Sequence, residues 1–142
     1  MGIPDELRGP TAFHTHLGPF LVVGLRMGGV VTRELGAEPF TIRITARTGH
    51  RPPYSCLVDG LQWSTPCTVG NGGVVVDADR AMAIDAVAAG RRVTARLRPE
   101  IFERIESECT EENQVRFACD LWAMPERELL EVELSDLPGG EA

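Results

Sequence analysis

The sequence contains no lysine, and all fourteen of its basic residues are arginines. This absence excludes lysine Schiff-base chemistry and lysine general bases. Acidic residues outnumber the arginines and give a net charge of −7. A general affinity for nucleic acid needs clustered cations, so we expect no nucleic-acid partner.

Long apolar runs and paired cysteines are also missing. The longest apolar stretch, residues 17–31, is interrupted by Arg26 and is short for a bilayer span, so we expect no membrane anchor. The four cysteines form no CxxC pair, and the N-terminus does not resemble a secretory signal. We therefore expect reduced thiols and a cytoplasmic protein.

Hydrophobic periodicity in the 142 residues predicts an α+β fold in a single domain, residues 1–142, with an antiparallel-rich, mixed sheet packed against helices. Residues 1–10 lack periodicity and predict an irregular N-terminal arm, and residues 136–142 predict a flexible tail. Four or five strands are expected, from patterns at 40–47, 74–76, 80–87, 92–98 and 130–135. Shorter helices are predicted at 56–65, 99–106 and 110–124.

A long buried helix is predicted from Pro19 to about Leu35. Gly18 is the expected N-cap, with proline in the first helical position, and the glycine after Leu35 ends the helix. Gly24 and Gly28 are four residues apart and would let another backbone approach closely.

The stretch 55–73 concentrates side chains that can do chemistry. Within its predicted helix, Cys56 and Asp59 lie near one face, and the helix ends just ahead of Cys67. The glycine-rich loop 68–73 that follows would bring backbone N–H groups close to a ligand.

Two histidines, His14 and His16, precede the long helix. In an extended segment both side chains point to the same side, where their imidazoles could hold one metal ion. The alternative is that they hydrogen-bond to loop carbonyls and helix ends. His50 is assigned to a loop surface.

The motifs resemble those of the FmdE family, which is named after a component of formylmethanofuran dehydrogenase, over about residues 12–135. The family patterns F-H-G-H-x-C-P-G, G-x-R-x-G, C-x-x-D-[AG]-x-Q and G-C-T-x-G-[KN] are matched by residues 13–20, 24–28, 56–62 and 67–71. Two departures stand out. Gly18 replaces the cysteine of the first motif, and the cysteine-rich zinc finger that many members carry after the core is absent.

The resemblance implies an α+β core that pairs as a homodimer and a metal site in which cysteines approach the histidines. Zinc suits such a set of imidazole and thiolate ligands. The predicted metal ligands are His14, His16, Cys56 and Cys67, the predicted catalytic residues are Cys67 and Asp59, and the predicted ligand-binding residues are Gln62, Thr68, Gly70 and Asn71. Helix capping and loop orientation are the alternative for Asp59 and Gln62, and a tight turn is the alternative for Asn71 and the glycines. Cys109 and Cys119 are expected to be structural.

Three function classes remain open. The first is a metal-binding accessory protein that partners redox enzymes of C1 or molybdenum and tungsten metabolism. The second is a small stand-alone enzyme in which a zinc-bound water or Cys67 acts on an unknown small molecule and Asp59 serves as acid or base. The third is a non-catalytic module that binds or senses a small ligand.

Overall fold

The computed structural model of the chain describes residues 2–138, which form one mixed sheet and a set of helices. The helices are α1 (Asp5–His14), α2 (Pro19–Leu35), α3 (Cys56–Ser64), α4 (Pro99–Glu108), α5 (Gln114–Ala123) and α6 (Glu126–Leu129). The strands are β1 (Arg43–Arg47), β2 (Val74–Asp77), β3 (Ala83–Ala88), β4 (Arg91–Leu97) and β5 (Leu130–Asp136). The predicted α+β class is therefore confirmed. No helix between residues 2 and 138 is both long and apolar enough to cross a membrane.

The five strands are ordered β2-β1-β3-β4-β5 in a single sheet. Only β1 and β2 pair in parallel, joined through α3, and the other three pairings are antiparallel. Burial alternates along β1 and β4, so one face of the sheet is covered and the other is polar. The predicted antiparallel-rich mixed sheet is confirmed, with the C-terminal strand at an edge as its alternating glutamates indicate.

Two strands begin later than predicted because their first residues leave the extended region. Phe40 and Met82 adopt φ of 64° and 51°, which a β-strand does not allow. The strands β1 and β3 start after these turns, at Arg43 and Ala83.

The long helix α2 has the predicted bounds, and its glycines have the predicted use. A Cβ atom on Gly24 would collide with the carbonyl oxygen of Leu57, and one on Gly60 would collide with that of Leu21. Helices α2 and α3 therefore pack backbone to backbone, which fixes the start of α3 relative to the start of α2. The glycine notch is filled by this chain itself.

The prediction of an irregular arm at residues 1–10 is wrong, because α1 occupies this region. Gly9 and Pro10 disfavour a helix and hid it from sequence patterns. Packing overrides that preference: Leu7 and Pro10 are buried, and a Cβ on Gly9 would clash with the indole ring of Trp63 in α3. Helix α1 delivers His14 to the start of α3.

The last helices also differ in detail from the predicted ranges. Residues 110–113 form a turn in which Thr110 and Asn113 exchange hydrogen bonds between backbone and side chain, so α5 begins at Gln114. Strand β5 extends to Asp136, the first residue of the predicted flexible tail, and residues 139–142 of that tail lie outside the described residues.

Candidate metal site

Three potential metal ligands meet where α1, α2 and α3 come together. One ligand atom each from His14, His16 and Cys56 lies within 4.8 Å of the other two. The segment is not extended as predicted, because His14 ends α1 and Thr15 turns the chain with φ of 85°. The turn still stacks the two imidazole rings, whose centroids are 4.5 Å apart.

The buried Nε2 atom of His14 has no hydrogen-bond partner among residues 2–138. On the other side of the ring, Nδ1 lies 2.5 Å from Oδ2 of Asp59. A carboxylate on Nδ1 fixes the tautomer in which Nδ1 carries the proton and Nε2 offers a lone pair. Leaving such a buried acceptor unpaired costs about 1–3 kcal/mol, so the geometry points to a ligand that Nε2 would bind.

Asp59 is itself held by hydrogen bonds that lead to the loop after α3. Its Oδ1 accepts from Nε2 of Gln62 at 3.1 Å, and Oε1 of Gln62 accepts from the backbone N–H of Val69 at 2.8 Å. Both carboxylate oxygens are therefore engaged. This arrangement agrees with the interpretation in which Asp59 and Gln62 orient a metal ligand.

The environment adjusts the protonation of two ligands. Burial, and then the neighbouring His14, lower the pKa of His16, which keeps its imidazole neutral near pH 7. Burial, and then the negative charge of Asp59, raise the pKa of the Cys56 thiol. Cys56 is therefore a poor free nucleophile, and a metal ion would bind it by displacing the thiol proton.

Cys67 lies apart from this cluster. Helix α3 has nine residues and is about 13 Å long, so a thiol beyond its C-terminal end does not reach the ion that Cys56 contacts at its first residue. The side chain is buried, its Sγ donates to the carbonyl oxygen of Ile42 at 3.4 Å, and burial raises its pKa. The candidate site therefore contains His14, His16 and Cys56 without Cys67.

The predicted ligand-binding residues of the loop mostly bond to one another. Oδ1 of Asn71 accepts from the backbone N–H groups of Thr68 and Gly73, while its Nδ2 donates to the carbonyl of Pro66. The hydroxyl of Thr68 in turn accepts from the N–H of Asn71. These bonds, with Gly70 at the exposed tip, match the tight-turn alternative.

A cleft of about 470 Å³ adjoins the three ligands. His14, Cys56, Asp59 and Gln62 line one side of it, and His50 lines another. The assignment of His50 to a loop surface is correct in exposure, but no sequence pattern indicates that this loop folds over toward α3.

A smaller cavity of about 40 Å³ lies on the other side of the ligands. Its lining includes His14, His16, Gly18 and Cys56, and it also includes Gln114, the first residue of α5. Sequence reasoning missed Gln114, because no motif contains it.

Cys109 and Cys119 are half-buried side chains that pack against the core, and the metal-ligand group found in residues 2–138 does not include them. This placement agrees with the structural role expected for both.

Comparisons with known proteins agree with this architecture. The model of the family described as "FmdE, Molybdenum formylmethanofuran dehydrogenase operon" matches residues 13–137. A crystal structure of an FmdE-like protein of tungsten formylmethanofuran dehydrogenase from Syntrophus aciditrophicus has a TM-score of 0.67 at 20% identity. That similarity covers 99% of this chain and 79% of the other, and it shows the fold.

A curated relative from Archaeoglobus fulgidus is named "Probable S-adenosyl-L-methionine-binding protein". It is 34% identical over 68 residues, which is 44% of this chain and 18% of the relative. The chain thus spans less than a fifth of the length of this relative.

Proposed function

The chain belongs to the FmdE family, and from that premise we propose that it binds a divalent transition metal, zinc foremost, through His14, His16 and Cys56. The observation that carries the proposal is the buried Nε2 of His14, which has no partner in the described residues and lies beside two further ligands. Two imidazoles and one thiolate form a donor set that suits zinc.

Three protein ligands are typical of a site that is open to exchange. Tetrahedral zinc with three protein ligands keeps its fourth position for water or substrate, whereas structural sites are closed by four. When bound, the metal would supply a Lewis acid beside the cleft of about 470 Å³. Asp59 would hold the ring of His14 in place, and Gln62 would hold Asp59, so their role is orientation of the metal ligand.

The proposal is tested by zinc binding to protein without a histidine tag, measured by competition with a chromogenic chelator. We expect one zinc per chain, with binding lost or strongly weakened in His16→Ala and in Cys56→Ser. The matched control is the double variant Cys109→Ser/Cys119→Ser, which should bind zinc as the wild type does. A wild-type protein that ignores zinc would contradict the proposal.

Small-molecule binding in the cleft is the second candidate function, favoured by its volume and by the polar groups of His50 and Gln62. The name of the Archaeoglobus relative makes S-adenosylmethionine the first probe for calorimetry. Binding that needs zinc would assign the cleft to the metal centre. Binding that survives Cys56→Ser and chelation would favour a metal-independent module.

A role beside a C1 or molybdenum and tungsten redox enzyme rests on the family alone. Co-purification of the untagged chain from its native host, followed by identification of stable partners, tests that role. A purified chain that alone turns over a ligand of the cleft would favour the stand-alone enzyme.

A further inference from the structure

Gln114 faces the ligand cluster from the start of α5. Its Oε1 lies 3.5 Å from the point that a Cβ on Gly18 would occupy, and Nε2 of His16 lies 3.7 Å from the same point. The amide oxygen and the imidazole thus border one small space beside Gly18. No hydrogen bond within residues 2–138 involves the side chain of Gln114.

The space between these groups is the cavity of about 40 Å³. A water molecule needs roughly 10–15 Å³ of such volume, so the cavity has room for a metal ion and one small ligand. Because Gly18 has no side chain, the amide of Gln114 is the polar group that faces the three ligands across this space.

Rigid elements hold Gln114 in this place. Arg26 of α2 donates from one guanidinium nitrogen to the carbonyl oxygens of Leu121, Trp122 and Met124, which ties the C-terminal end of α5 to α2. Since α2 also begins directly after Gly18, the same helix positions both walls of the cavity. Groups carried on packed helices keep their geometry better than groups on loops.

We propose that Gln114 completes the metal centre of this chain. Its carboxamide oxygen accepts a hydrogen bond from the water or substrate hydroxyl that fills the fourth coordination position, on the side where Gly18 supplies no ligand. This inference rests on the proposed metal site and names a positioning residue within it.

The first test compares zinc affinity in Gln114→Ala and Gln114→Glu with that of the wild type. Loss of a group that orients a metal ligand typically weakens binding about 10–100-fold, and we expect that loss for the alanine variant. The glutamate variant should bind at least as tightly as the wild type, because a carboxylate oxygen accepts the same hydrogen bond. Arg116→Ala, at an exposed position in the first turn of α5, is the matched control and should change nothing.

The second test is a double-mutant cycle with Gly18→Cys. Gly18 has extended backbone angles, and an added Cβ would meet only ordinary contact distances, so the substitution is compatible with the fold. The new thiolate would take the fourth position and raise zinc affinity. Gln114→Ala in that background should then cost little, and the Co²⁺ absorption spectrum should respond to Gln114→Ala only when residue 18 is glycine.

Two results would overturn the role of Gln114 alone: wild-type affinity in Gln114→Ala, or equal losses from this substitution with glycine and with cysteine at position 18. A wild-type chain that binds no zinc would overturn the metal site itself, and the inference with it.

Discussion

At the scale of single residues, the candidate metal site depends on how His14 is held. Its Nδ1 contacts Asp59 at 2.5 Å, and its Nε2 is buried without a partner in the described part of the chain. The site is therefore preorganised by a carboxylate that does not itself belong to the ligand group.

Asp59→Ala should lower zinc affinity about 10–100-fold, because the His14 ring loses the group that fixes its tautomer and orientation. Chelator competition measures the change, and circular dichroism checks that the fold is kept. Asp120→Ala, at an exposed position of α5, serves as the control. Unchanged affinity in Asp59→Ala would mean that the contact is only structural.

Motifs predicted part of this site and missed the rest for geometric reasons. His14, His16 and Cys56 could be named from sequence because the first and third blocks contain them. Cys67 was included because motif order carries no distance, and a nine-residue helix separates it from Cys56. Gln114 could not be found, since its place depends on how α5 packs on α2.

At the scale of elements, the close packing of α2 on α3 positions Cys56 and Asp59. Helix α1 shows the limit of pattern reading in the same region. Its glycine and proline argue against a helix, and only the contact with Trp63 on α3 explains why one forms.

Gly24→Ala should destabilise the protein by about 1–3 kcal/mol or more, since the new methyl group collides with the backbone of α3. Gly29→Ala is the matched control in the same helix, because a Cβ there meets nothing within 4 Å. That control should stabilise by about 0.5–1 kcal/mol through helix propensity. Urea unfolding of both variants measures the difference, and equal effects would contradict the packing described.

The short helix α6 is tied to α2 by an ion pair. Arg33 donates to both carboxylate oxygens of Glu126, at 2.7 and 3.2 Å. The hydrogen bond from Arg33 lowers the pKa of Glu126 below its usual 4.5. A lowered folded-state pKa gives stability that is present above the unfolded value and lost as the pH falls through the folded value.

Glu126→Gln should therefore cost about 0.5 kcal/mol at pH 7, the size expected for a partly exposed pair. The cost should shrink as the pH drops below 4.5 toward the folded pKa of Glu126. Glu128→Gln, exposed in the same helix, is the control. Thermal unfolding at several pH values measures both, and a cost independent of pH would contradict the electrostatic origin.

At the scale of the whole molecule, the alternating patterns predicted four of the five strands close to their observed places. They could not predict the order β2-β1-β3-β4-β5, because the parallel pairing of β1 with β2 depends on the crossover through α3. Sheet order is a property of packing, and a single strand does not carry it.

The homodimer expected from the sequence stays a prediction. One of its grounds has changed, since the glycines of α2 are filled by α3 and do not form a notch for a second copy. The edge strands β2 and β5 remain as grounds. Light scattering at micromolar concentration should give twice the 15.5 kDa of one chain, and a mass of one chain would contradict the prediction.

The most direct test of the proposed metal site is the absorption spectrum of the Co²⁺-substituted protein. A site of two imidazoles and the Cys56 thiolate predicts a thiolate-to-cobalt charge-transfer band in the wild type. This band should vanish in Cys56→Ser and persist in Cys67→Ser. A band that survives Cys56→Ser but disappears in Cys67→Ser would show that the metal lies elsewhere and would contradict the site of His14, His16 and Cys56.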